Sequence, residues 1–307
     1  MTRVWMGLAL AFSLGACSGT PPFGGGTETP TDGSGGAAAI PEALAKNLDS
    51  FTYNPNATGG PTLTIRGVDL EDGPFEETYR RRPGLDRGGY EAFTAQDGSL
   101  DRHSTAYVRD IRGTRAAIAV TGGQFSYFFA GGAYSNTSYT APVEPGSEDD
   151  GGLVSYAGNY VGLLNVAGDG GDLTPVDPTT PPGFRPSQAA EVTGYMLINA
   201  SFSDGTVNGT ITNRQIVDAP GIAVADLDLA PTAIAADGTF FGDSAVDTLP
   251  VGQYGGIFGG DGATEVAGVV HAEDHIAGLN DIEEYGVFVL AQCGTPGADP
   301  VCNQPVP

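Results

Sequence analysis

Residues Val251 to Gly268 read VGQYGGIFGGDGATEVAG. Successive side chains of a strand point to opposite faces, so Tyr254, Gly256 and Phe258 share one face, and the glycine leaves room beside the two rings. Gly259, Gly260 and Gly262 permit a turn with positive φ, and Gly268 allows a close approach in the returning strand. The stretch reads as a β-hairpin whose glycines serve packing and turning rather than chemistry.

The same texture extends through the C-terminal half. Residues 206–212 put Val207 and Ile211 on one face, and residues 192–202 put Val192, Met196, Ile198, Ala200 and Phe202 on one face. Further strands are expected at 153–158, 160–166, 224–235, 239–242, 252–259, 265–271 and 285–291. Eight or nine strands at this spacing suit a closed antiparallel barrel or a sandwich. In the N-terminal half, short alternating runs at 63–70, 75–81, 90–95, 103–109, 115–121 and 124–130 are punctuated by Gly, Pro, Asn and Asp, which predicts hairpins. A single helix is expected, over 41–48. The expected boundary between the halves is 136–152, with Pro142, Pro145 and the acidic run Glu148-Asp149-Asp150.

The order of Tyr254, Gly256, Phe258, Gly259, Gly260, Ala263, Glu265 and Gly268 resembles the barrel hairpin of transferrin-binding protein B and the factor H binding lipoproteins. Upstream, Tyr156-Ala-Gly-Asn-Tyr160, the run from Ala200 to Ile211 and Asp237-Gly-Thr-Phe-Phe-Gly242 fall in that family's order, with Tyr285-Gly-Val-Phe288 closing it. The resemblance covers residues 152–292. It implies an eight-stranded antiparallel barrel on a surface lipoprotein whose partners are held by loops and accessory domains. None of the family's ligand loops is recognisable, so a fold is implied and a ligand is not.

The first residues agree with such a lipoprotein. Arg3 precedes an uncharged apolar run from Val4 to Leu14, and Gly15 and Ala16 lead into Cys17. A charged start, a short apolar stretch and small residues make a secretory signal peptide. The run falls short of the roughly 20 residues that span a bilayer. Leu14-Gly15-Ala16-Cys17 resembles the bacterial lipobox, which implies acylation of Cys17, and Ser18 after it implies the outer membrane. Gly, Pro, Thr and Ser dominate 17–39, too little apolar surface to offset ordering entropy, so this is a tether.

Net charge is −24, unevenly spread. From Glu148 onward 22 acidic residues face only Arg185 and Arg214, whereas 41–147 is near balance and eight arginines lie between Arg80 and Arg115. Phosphate would be repelled by the acidic half, which argues against nucleic acid. A basic partner would be attracted, but solubility or salt adaptation is the reading that the charge favours. The basic run Arg80-Arg-Arg-Pro-Gly-Leu-Asp-Arg87, followed by Tyr90 and Phe93, is the best recognition candidate; its bland reading is pairing with Glu71, Asp72, Glu76 and Glu77 or docking on the acidic barrel.

With Cys17 lipidated, Cys293 and Cys302 remain, separated by turn-forming Gly294, Pro296, Gly297 and Pro300, and are expected to form a disulfide outside the cytoplasm. Chemistry is sparse. His271-Ala-Glu-Asp-His275 does not have the His-Glu-x-x-His order and is expected to be a solvated hairpin turn. His103 with Asp101 and Ser99 or Ser104 is a chance triple without a nucleophile elbow. The Asp-Gly pairs at Asp169, Asp237 and Asp261 lack the spacing of a calcium loop.

The sequence thus predicts an all-β protein: signal peptide 1–16, tether 17–39, N-terminal antiparallel β domain 40–147, eight-stranded soluble barrel 152–292 and disulfide-closed tail 293–307. The expected function is an outer-membrane-anchored lipoprotein that binds a protein or glycan. The rival is a structural envelope lipoprotein. No catalytic residue, metal or cofactor is expected.

Overall fold

The computed structural model describes residues 39–69, 73–123, 128–142 and 152–303. The signal peptide, Cys17, nearly all of the tether and the run at 148–150 lie outside them. After a single helical turn, α1 (Glu42–Ala45), come β1 (Leu48–Asn54), β2 (Thr62–Val68), β3 (Pro74–Arg81), β4 (Glu91–Ala95), β5 (Ser104–Ile111), β6 (Thr114–Thr121) and β7 (Ala130–Ser135). They form a seven-stranded antiparallel sheet in chain order. It curls so that the Asn47 N–H, just before β1, donates to the Ala130 carbonyl of β7 at 3.0 Å.

The second unit is β8 (Leu153–Ala167), β9 (Ala189–Ser201), β10 (Thr206–Ile216), β11 (Leu227–Ala233), β12 (Thr239–Val246), β13 (Leu249–Gly259), β14 (Glu265–Glu273) and β15 (Glu283–Ala291). Neighbours pair antiparallel, and β15 returns to β8 through Tyr285↔Leu163 and Val287↔Val161, closing an eight-stranded barrel. One set of alternating residues fills the interior: Tyr156, Met196, Ile198, Phe240, Tyr254, Phe258, Val266, Val270 and Phe288. The other set on β14 and β15, Ala267, Val269, Val287 and Val289, faces outward and joins one apolar core with Tyr107, Ala117 and Ala133 of the sheet. The sheet therefore covers one wall of the barrel. Tyr90 stitches the two together, its hydroxyl donating to the Asn159 carbonyl and accepting the Val289 N–H, each at 2.9 Å.

Several expectations are corrected. The helix over 41–48 is one turn, and the strand that follows it, β1, was not anticipated. A register shift between Leu48 and Ser50 breaks its alternation, which hides it from a period-2 reading. The strand expected at 124–130 lies at Ala130–Ser135; residues 124–127 are outside the described residues, as is the turn at Glu71-Asp72. Every residue of β7 is buried, packed on both faces, so no alternation announces it. Gly132 lies there so close to the barrel that a Cβ would stand 2.7 Å from Val269. The strands expected at 153–158 and 160–166 are one, β8. Within it Gly158 faces Leu290, which a Cβ would approach to 2.9 Å.

Candidate functional site

The signature hairpin is a packing device. Tyr254 and Phe258 are fully buried in the barrel interior. Phe258 meets Phe240, Phe202 and Tyr156 at ring-centroid distances of 5.2, 5.0 and 5.5 Å. The Tyr254 hydroxyl donates to the Ala230 carbonyl at 2.6 Å, satisfying the polar end of a buried ring. Gly256 pairs directly with Gly268 across the strands. The Phe240 ring lies over the first and the Phe288 ring over the second. Gly260 and Gly262 take positive φ in the turn, as does Ala263, whose carbonyl accepts from Tyr156. Gly259, expected in the turn, instead ends β13 and abuts Thr114 of the sheet, and buried Glu265 pairs with Arg112.

That last pair belongs to a charged seam. Arg82 meets Asp172 at 2.8 Å, Arg87 meets Glu191 at 2.7 Å and Lys46 meets Glu283 at 2.6 Å, each joining the N-terminal sheet to the barrel. Arg81 pairs within the sheet with Asp86 at 2.6 Å. Arg82 and Arg87 of the basic run thus dock on the acidic barrel, and Arg81 is held within the sheet. His103 is buried, and its Nε2 lies 3.2 Å from Asp172, not beside Asp101. Burial lowers its pKa, with the Asp172 carboxylate opposing. Ser104 is bonded to the Tyr79 hydroxyl at 2.8 Å, so the His103 triple is not assembled.

Sequence reasoning missed a charged cluster inside the barrel. The register shift between Thr212 and Gln215 turns Arg214 inward, where it meets Glu284 at 2.6 Å. The His275 Nε2 stands 2.9 Å from the same carboxylate, and the Tyr160 hydroxyl donates to it at 2.7 Å. The Arg214, Glu284 and His275 side chains are wholly buried. Burial alone would raise the Glu284 pKa, but Arg214 and His275 outweigh it and hold the carboxyl far below the usual range. The one signal available was a lone arginine in a long acidic stretch.

The segment 271–275 is not a solvated turn, since both histidines are buried. His271 projects from the outer wall with Nε2 3.3 Å from Glu283 and 3.5 Å from Glu273, and its ring lies 4.6 Å from that of Tyr285. These three donors could face one cation, but the Lys46 ammonium already stands on Glu283.

The ends of the barrel differ. Connections 202–205, 234–238 and 260–264 are short; 168–188, 217–226 and 274–282 at the other end are longer. Asp169, Asp218, Asp226, Asp247, Asp274 and Asp281 at that longer-looped end are exposed, and among the described residues none has an ion-pair partner. Beside Asp169 and Asp218 lies a cup of about 280 Å³, walled by Val166, Ala190, Ile216, Ile222 and Leu279. At the short-looped end Cys293 and Cys302 form a disulfide, with Cα atoms 5.5 Å apart.

No family model matches the chain, and no curated protein matches it. The chain is similar in structure to transferrin binding protein B. Intact Ap-TbpB, with N and C lobes, gives a TM-score of 0.37 at 12% identity over 80% of this chain and 55% of that one. A double mutant from Haemophilus parasuis Hp5 gives 0.39 at 9% identity over 80% and 54%. A mutant from Actinobacillus pleuropneumoniae H49 gives 0.35 at 13% identity over 79% and 97%. The chain spans about half the length of the first two.

Proposed function

We propose that this chain is an outer-membrane-anchored binding lipoprotein that holds a basic protein at the longer-looped end of its barrel. The observation that carries the reading is the distribution of paired and unpaired charge. The sheet's cations Lys46, Arg82, Arg87 and Arg112 are engaged with barrel carboxylates at the seam. Among the described residues the carboxylates Asp169, Asp218, Asp226, Asp247, Asp274 and Asp281 at that end have no ion-pair partner, and the first two border an apolar cup. Such a surface suits an apolar side chain flanked by Lys or Arg, with charge steering the encounter. The filled barrel interior supports an external partner over a ligand held within. The anchor rests on the lipobox-like residues ending at Cys17.

The test is capture from envelope and surrounding medium on the immobilised chain, beside a variant carrying Asp169→Asn, Asp218→Asn, Asp226→Asn and Asp274→Asn. A basic protein retained by the wild type, released by salt and lost from the variant is the expected result. Equal retention by both, or retention indifferent to salt, would refute the assignment.

A further inference from the structure

A groove of about 440 Å³ runs along the outer wall of the barrel, apart from its mouth. Its size falls in the range of roughly 300–1,000 Å³ that small-molecule sites span. The side chains along it are Asn159 of β8, Thr193 and Tyr195 of β9, and Asn213 and Gln215 of β10. Strand pairing sets them in two rows: Asn159 opposite Tyr195, and Thr193 opposite Gln215. The register shift that sends Arg214 inward also brings Asn213 to the outer face, with φ at 51°. A bulge re-aims side chains in this way. One end of the groove is closed by Gly88 of the sheet, whose carbonyl accepts from Asn159 at 3.2 Å. A Cβ on Gly88 would lie 2.6 Å from that of Asn159, so glycine is needed for this approach.

Four properties of the lining select a ligand class. Among the described residues no ionised side chain lines the groove, although this half of the chain carries 22 acidic residues, so a charged ligand would find no counter-ion among them. Asn213 and Gln215 each present a carbonyl acceptor and an NH₂ donor, which together match a hydroxyl that both donates and accepts. Among the described residues the side chains of Thr193, Tyr195, Asn213 and Gln215 have no hydrogen-bond partner. Tyr195 is 45% exposed, a large ring left open to solvent in the same groove as these amides. The negative face of an aromatic ring attracts the weakly positive C–H groups on the flat side of a sugar. From this combination we infer that the groove is a subsite for a neutral carbohydrate, with Tyr195 as stacking platform and Asn213, Gln215 and Thr193 bonding its hydroxyls. It stands independently of the basic partner at the barrel mouth.

The probes are neutral hexose and N-acetylhexosamine oligosaccharides, titrated into the full chain and followed by saturation-transfer NMR and calorimetry. At least one should bind, with affinity unchanged as salt is raised. Tyr195→Ala should weaken it by about tenfold, the loss of one stacked ring. Tyr195→Phe should retain most of the affinity, and Asn213→Ala should lose it in part. Both positions are exposed, so thermal midpoints should match the wild type, and binding is compared only between variants that pass that check. Failure of every neutral probe, binding that survives Tyr195→Ala, or binding confined to sulfated or sialylated sugars and abolished by salt would each overturn the inference.

Discussion

Valine at position 256 would be placed against two unyielding neighbours. An ideal Cβ there stands 2.6 Å from Cζ of Phe240 and nearer still to the Ala267 carbonyl oxygen on the adjoining strand. Phe240 has little room to retreat, because its ring is 6.0 Å from that of Tyr254 and 5.2 Å from that of Phe258. The carbonyl is backbone, so relief requires the strands to move. Overpacking of a filled core costs about 1–3 kcal/mol, and contact with main chain puts this site in the upper half of that range. At about 2–4 °C per kcal/mol for a chain of this size, the melting midpoint of Gly256→Val should fall by about 4–12 °C. Gly221→Ala is the control, since nothing lies within 4 Å of its position. Adding Phe240→Leu to Gly256→Val should cost less than the sum of the single changes by about 0.5–3 kcal/mol, because the two groups compete for one space. Circular-dichroism melts of the full chain measure the wild type, the three single variants and the double variant. A Gly256→Val midpoint matching that of Gly221→Ala would refute the reasoning about the barrel interior.

Arg214→Met should destabilise by about 3–5 kcal/mol in urea melts at neutral pH, because it leaves the Glu284 carboxylate buried without its partner. The depressed pKa of Glu284 means that its stabilisation is complete above the unfolded carboxyl value of about 4.3 and is lost as pH falls toward the folded value. Wild-type stability should therefore decline below about pH 5 more steeply than that of Arg214→Met; parallel acid limbs would remove Glu284 as the cause. Cys293→Ser should lower stability by about 2–3 kcal/mol through the loop it opens, and free-thiol labelling of unreduced wild type should find neither Cys293 nor Cys302. Cys17→Ser should abolish metabolic lipid labelling, and equal labelling of both proteins would end the anchor assignment.

The barrel was legible because its wall obeys a simple rule: one face of Tyr254, Gly256 and Phe258, or of Val207 and Ile211, points inward and repeats every second residue. The disulfide was legible from the turn-forming residues between its cysteines. What stayed hidden depended on contacts distant in sequence. β7 is packed on both faces, so a run of small residues showed no period. The Arg214 cluster depends on a register shift that reverses which face residue 214 occupies, and a local pattern cannot announce it. The basic run around Arg80 was visible, but its partners Asp172 and Glu191 lie far along the chain. The groove around Tyr195 was invisible for the same reason, since it draws on three strands and a loop of the sheet.

Ring closure has a consequence for how the chain reaches this state. Val161 of β8 finds Val287 only after every other barrel strand has been made, and such distant pairing is slow. Until then β8 offers a bare edge that other chains can occupy. The sheet of β1–β7 is complete much earlier and already presents the wall on which β14 and β15 rest. A template of this kind turns the last step from a search in open solution into assembly on a prepared surface. Refolding at rising protein concentration measures the effect. The full chain should return soluble where a fragment beginning at residue 152 aggregates, its Val269, Val287 and Val289 having no wall to meet.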